Sequence, residues 1–180
     1  MSAPPAEFCQ LLQPSDVSIW LRDQLMDCWI EVSNAGGSVG FAVPPVSPLH
    51  VAPVLDSYIA ALHPERFRIV AALLDDRLAG WVCLSLNTNR LTRHWAEVRH
   101  LQTRPDCRGR GIGSALLDTC ARVGHKELDL DALHLAVRAG VGLERFYTAR
   151  GWREIGHWSA APRLGQDGNR DEAMMQLELR

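Results

Sequence analysis

The stretch "RPDCRGRGIGSALL", Arg104 to Leu117, constrains this chain more than any other. Three arginines and three glycines fall within the ten residues 104–113, and an apolar helical pattern follows at once. Ile112, Ala115, Leu116, Thr119, Cys120 and Val123 recur at three and four residues. That spacing predicts a helix with one buried face, starting at about Gly111 and ending near Gly124. The first turn of a helix leaves backbone N–H groups without partners and carries the positive end of the dipole. Glycines ahead of it let a ligand approach the backbone closely. With Arg108 and Arg110 adding charge, the stretch reads as an anion site at a helix N-terminus.

Several phosphate loops are separable by spacing. A P-loop needs GxxxxGK[ST], and the loop has no lysine. A dinucleotide fingerprint needs GxGxxG; counting from Gly109 puts Ser114 at the last position, and counting from Gly111 puts Leu116 there. An RGG-type RNA tail has no apolar helix behind it. The net charge of −2 makes the arginines a local feature and gives no reason to expect a nucleic-acid or membrane-surface partner. No stretch reaches the roughly 18 apolar residues of a membrane span. The N-terminal "MSAPPAEFCQ" lacks the basic region and apolar core of a signal peptide. The five cysteines, Cys9, Cys28, Cys83, Cys107 and Cys120, are scattered with no CxxC pair. They read as reduced thiols of a cytoplasmic protein, not as a disulfide frame or zinc site. Cys107 adjoins the glycine loop, where it reads as a bystander.

The rest of the chain supplies the setting. "FCQLLQ" reads as a first strand. Val17, Trp20, Leu21, Leu25, Cys28, Trp29 and Val32 mark a helix with Trp20 and Trp29 on its buried face, capped by Ser15 or Asp16. "VPPVSP" interrupts, and a second helix covers about 49–62. "FRIVAALLDDRLAGWVCLSL" reads as a hairpin turning at Asp75, Asp76 and Arg77. "WAEVRHLQT" and "LHLAVRA" are strands on either side of the glycine-loop helix. After a short helix, "GWREIGHW" and "AMMQLEL" form an antiparallel pair around the polar loop "RLGQDGNRDE". The order is strand, two helices, three strands, helix, strand, helix, two strands. It predicts one α/β domain over 1–180: a mixed, largely antiparallel central sheet with a central βαβ unit of right-handed crossover and flanking helices.

The residues Arg108, Gly111 and Gly113, in the pattern R-x-x-G-x-G between a strand and a helix, resemble the acetyl-coenzyme A signature of the GNAT superfamily of N-acetyltransferases. The resemblance extends upstream to an acidic residue on a strand in "AEVRHLQTRP". Downstream, "LERFYTARGW" is similar to the family's Y-x-x-x-G-[FW] element, at Tyr147, Gly151 and Trp152. The resemblance implies the acyl-CoA N-acyltransferase fold. It assigns Arg108, Gly109, Arg110, Gly111, Ile112, Gly113 and Ser114 to the pyrophosphate of acetyl-coenzyme A. The backbone of Leu101, Gln102 and Thr103 would pair with the pantetheine arm, as an extended ligand can pair with a strand edge. More narrowly, "GFAVPP", "RHWAEVRHL" and "DGN" resemble the tabtoxin-resistance type, whose acidic residue on strand five is here Ala136. Many family members carry asparagine seven residues before the tyrosine, where this chain has Gly140.

Acetyl transfer to an amine calls for a base toward the amine, a proton donor toward the departing thiolate, and donors for the oxyanion. Glu97, eleven residues before Arg108, matches the position of a catalytic glutamate in histone-type members and would act through a water; it can equally be a salt-bridged strand residue. His94 and His100 are rivals because imidazole titrates near neutrality, but strict alternation puts both on the face opposite Glu97. Tyr147 is the acid candidate, a phenol with a reference pKa near 10 against about 8.5 for a thiol, and it would also contact the cofactor; the other reading of a tyrosine in an amphipathic helix is core packing. No recurrent ligand spacing points to a metal. Trp95 and Trp158 lie near the expected acceptor cleft, as an aromatic wall or as ordinary packing. The reading is an acetyltransferase acting on a primary amine of a small molecule. A protein amine or a non-catalytic acetyl-coenzyme A sensor are the alternatives. Homodimers are common among such folds, and nothing in the sequence requires one.

Overall fold

The computed structural model describes residues 6–37, 40–41, 44–163 and 168–180. The elements run β1 (Glu7–Leu11), α1 (Ile19–Asn34), α2 (Pro48–Ala61), β2 (Phe67–Leu74), β3 (Arg77–Leu86), β4 (Trp95–Thr103), α3 (Ile112–Lys126), β5 (Ala132–Arg138), α4 (Leu143–Thr148), β6 (Arg153–Trp158) and β7 (Glu172–Glu178). The seven strands form one sheet in the order β1-β2-β3-β4-β5-β7-β6. Every neighbouring pair is antiparallel except β4 and β5, the strands on either side of α3. This is the mixed sheet with a central βαβ unit that the element order predicts.

The central strands are apolar on both faces because helices cover both faces. Val70, Ala72, Val82, Leu84, Val98, Leu133 and Leu135 pack with Leu116 and Cys120 of α3. Ile69, Ala71, Trp81 and Cys83 point the other way, against Leu25 and Trp29 of α1 and Leu55 of α2. The β2–β3 hairpin turns through Asp75 and Asp76 at φ 51° and 56°. A two-residue turn with positive φ at both positions matches the twist of the flanking strands.

Three local expectations are corrected. The cap of α1 is Ser18, whose hydroxyl accepts from Leu21 N at 3.1 Å, and not Ser15 or Asp16. Asp16 instead accepts from Leu12 N and Gln13 N at 2.8 and 3.1 Å and stops a short 3-10 turn before the helix. Trp29 is buried, but Trp20 is 49% exposed. Helix α3 runs past Gly124 to Lys126. That glycine is a packing position, since a Cβ there would sit 2.9 Å from Leu179 Cδ1.

Arg104, the first arginine of the motif, does not join the loop charges. Its side chain is 2% exposed. It donates to Leu78 O at 2.7 Å, to Gln24 O at 3.2 Å and to the carboxylate of Glu31, tying α1 to the ends of β3 and β4. Arg104→Ala leaves these buried carbonyls unpaired and a void behind them. The expected loss is about 2–4 kcal/mol of unfolding free energy, a fall in Tm of roughly 10 °C. Scanning calorimetry checks it; an unchanged Tm would show that the latch contributes nothing.

Candidate active site

Strands β4 and β5 pair only where Trp95, Ala96 and Glu97 meet Ala132, Leu133 and His134. Beyond that point β5 continues along β7 while β4 continues along β3, so the sheet opens as a V. The opening is a cleft of about 1230 Å³. Glu97, Leu101, Gln102, Thr103, Arg108, Gly109, Gly111, Ile112, Gly113, Ser114 and Tyr147 all line it. Arg110 does not; it lines a neighbouring depression of about 170 Å³ with Asp106 and Arg77.

The loop behaves as its glycines require. Gly109 and Gly111 sit at φ +74° and +80°, and a Cβ at either would meet nothing within 4 Å. Their need is conformational, a left-handed backbone that reverses the chain into the helix. The first bond within α3 runs from Ala115 N to Gly111 O at 3.0 Å. The amides of Ile112, Gly113 and Ser114 therefore have no acceptor within the helix. Arg150, which the sequence reading passed over inside "YTARGW", adds charge at this mouth. It lies 3.9 Å over the Phe146 ring, donates to Phe146 O at 2.6 Å and hydrogen-bonds Ser114 Oγ.

Tyr147 lies on α4, 7% exposed, edge-on to Phe146 and Trp152 at 5.1 and 5.9 Å between ring centroids. Burial pushes its pKa up to about 12, with Arg150 opposing. It is protonated at any pH at which the protein is handled. Gly140, in place of the asparagine, donates its amide to Glu144 at 2.6 Å. The backbone amide of Glu144 itself, then those of Gly140 and Gly142, hold the Glu144 carboxyl below its usual range.

On the opposite face Glu97 pairs with Arg99 at 2.8 Å. Strict alternation fails at the next residue. Between the partners of Trp81 and Cys83 strand β4 spends one residue more than β3, and His100 takes φ 52°. Such a bulge puts two successive side chains on one face. His100 therefore lies on the Glu97 face and not opposite it, 2.9 Å from Tyr58 Oη and packed near Trp29. His94 precedes β4. Trp95 stacks on His134 at 4.6 Å outside the cleft, whereas Trp158 lines it. Ala136 lies on its floor. Cys107 is buried, and desolvation raises its pKa, which keeps it a thiol. Among the described residues no cluster of histidine, cysteine or carboxylates could hold a metal, and no helix is long and apolar enough to cross a membrane. The positions 42–43 of "GFAVPP" and 164–167 of the polar loop lie outside the described residues.

The fold that carries this cleft matches known proteins. A ribosomal-protein-S18-alanine N-acetyltransferase from Escherichia coli shares 18% identity over 97% of this chain and 94% of its own, with a TM-score of 0.70. An N-acetyltransferase from Staphylococcus aureus Mu50 shares 12% over 98% and 100%, with a TM-score of 0.73. A nourseothricin acetyltransferase shares 24% over 63% and 66%, with a TM-score of 0.55. At these identities the likeness establishes the fold. The model of the acetyltransferase (GNAT) family matches residues 21–152. The chain therefore belongs to the GNAT acetyltransferase family and is an N-acetyltransferase, in a family whose co-substrate is acetyl-coenzyme A.

Proposed function

We propose that the protein acetylates a primary amine of a small molecule by direct attack within a ternary complex. One observation carries this reading: Glu97, Tyr147, the amides of Ile112 to Ser114 and the unpaired edge of β4 all open on one cleft. These residues fit acetyl-coenzyme A. The free amides, the α3 dipole and the Arg108 and Arg150 charges suit a pyrophosphate. The edge that Leu101, Gln102 and Thr103 turn toward β5, unpaired there, suits an extended amide-bearing arm. When bound, acetyl-coenzyme A supplies an acyl group activated on sulfur.

The chain's own residues supply the proton handling. Glu97 takes the amine's proton, through one water, and Arg99 fixes the carboxylate in place. Tyr147 lines the cleft, and its hydroxyl bonds to no other described residue, so it can donate its proton toward the sulfur. A pKa of about 12 makes the phenol a persistent donor that remains protonated between turnovers. A small acceptor is supported by the walls of the far half of the cleft. Gly36, Gly40 and Phe41 line it from the α1–α2 connection, and Pro162 and Arg163 from the β6–β7 connection. Similarity to a ribosomal-protein N-acetyltransferase favours a protein amine as the second reading.

Titration calorimetry with acetyl-coenzyme A, followed by a thiol-release screen over small amines and peptide N-termini, tests this. Binding with release on small amines is expected. Release on peptides alone would replace the acceptor class, and the absence of binding by folded protein would overturn the reading of the loop.

A further inference from the structure

Eight arginines of this protein find carboxylates among the described residues. Arg22 meets Asp56, Arg68 meets Glu127, Arg77 meets Asp106, Arg99 meets Glu97 and Arg153 meets Glu178. Several of these are well exposed, where pairing contributes little. Arg150 in the cleft has no carboxylate, but its guanidinium donates to Phe146 O and Ser114 Oγ; Arg138 in the same cleft makes no such bond among the described residues. It is half-buried in the cleft wall, its Nε is fully occluded, and that atom has no hydrogen-bond partner. No ion pair to it is formed among the described residues. A cation drawn partly out of water without a counter-charge is costly unless something arrives to pair with it.

Its position says what could arrive. On β5, Leu133, Leu135 and Val137 enter the core on the α3 side. His134, Ala136 and Arg138 therefore face the other way, as Glu97 does. Arg138 pairs in register with Glu172 of β7, and Glu172 with Trp158 of β6, so the three share one row across the sheet. Glu172 lines the cleft without coming within ion-pair distance of the guanidinium. Glu97 is in register with His134, two rows away. That places the two residues about 13 Å apart along the backbone, less the reach of both side chains. Between them lies only Ala136, which leaves room over the sheet.

We propose that Arg138 binds an oxyanion of the acceptor, a carboxylate or phosphoryl group carried on the same small molecule as the reacting amine. The inference rests on the proposed acetyl transfer to an amine. Glu97 then faces the amine end, Arg138 the acidic end and Trp158 the side of the molecule. The planar fork of a guanidinium suits either anion.

The test is titration calorimetry on protein saturated with coenzyme A, which allows binding without turnover. The probes are matched pairs: ω-amino carboxylates and aminoalkyl phosphonates of several chain lengths, each beside its neutral amide or alcohol. At least one acidic member is expected to bind about ten- to a hundredfold more tightly than its neutral partner. Arg138→Gln is expected to abolish that difference, and Arg138→Lys to restore part of it. The carboxylate and phosphonate arms tell the two anions apart. Equal binding within every pair, binding by no acidic member, or a preference that survives Arg138→Gln overturns the proposal. Should Arg138→Gln fail to fold, the wild-type pairs decide alone. Thiol release on the neutral amines reports separately on acetyl transfer, so failure of one reading is distinguishable from failure of the other.

Discussion

Replacing Tyr147 with phenylalanine lowers kcat by about a hundred- to ten-thousandfold, the usual contribution of a positioned proton donor. Acetyl-coenzyme A binding is expected to persist. Phenylalanine keeps the ring between Phe146 and Trp152, so packing survives and only the hydroxyl is lost. The pH profile adds a second check. Burial holds the phenol at about 12, so wild-type activity shows no alkaline loss from this group up to about pH 10. The sign for stability is consistent: the folded state binds the phenolic proton more tightly than the unfolded chain, whose tyrosine titrates near 10. Stability from this group is intact below pH 10 and drains away between 10 and 12. A kcat for Tyr147→Phe close to wild type would remove the tyrosine from the chemistry. Stopped-flow thiol release and denaturation midpoints across that pH range are the measurements.

Glu97→Gln is expected to cost about a hundredfold or more in kcat at neutral pH. The loss should shrink as pH rises toward the pKa of the acceptor amine, because a free amine no longer needs a base. Glutamine keeps the shape of the side chain but releases Arg99 from its 2.8 Å ion pair. Arg99→Gln separates the two effects: it frees the carboxylate without removing it. A Glu97→Gln enzyme with unchanged activity and an unchanged pH profile would move the base to His100. That residue lies on the same face and already shares a hydrogen bond with Tyr58.

That alternative was hidden in the sequence for a definite reason. Alternation along "WAEVRHL" places His100 opposite Glu97, and one residue of bulge reverses the placement. A bulge leaves no compositional mark, and His100 holds its positive φ inside the aromatic cluster of Trp29 and Tyr58, which only the tertiary fold assembles. The extent of β4, by contrast, was legible to the residue, because its apolar and polar positions alternate cleanly up to the bulge. The glycine loop was legible because left-handed φ at Gly109 and Gly111 is a demand few other residues meet. The roles of its arginines were not. Arg104 turned inward to hold α1 and Arg110 faced a side depression, while Arg150, distant in sequence, came to the loop. A charge reads the same in sequence wherever its long side chain ends up. Arg138 was passed over likewise, since its oddity is the absence of a partner, and that is a property of the fold.

The parting of β4 from β5 creates two strand edges inside one sheet. An outer edge offers unpaired amides and carbonyls to any other chain, which invites aggregation. These two edges lie in the interior of the sheet, on either side of the cleft, and not at its rim, where β1 and β6 lie. The protein therefore keeps hydrogen-bonding backbone open for recognition away from the outer edges, where sheets of separate copies join.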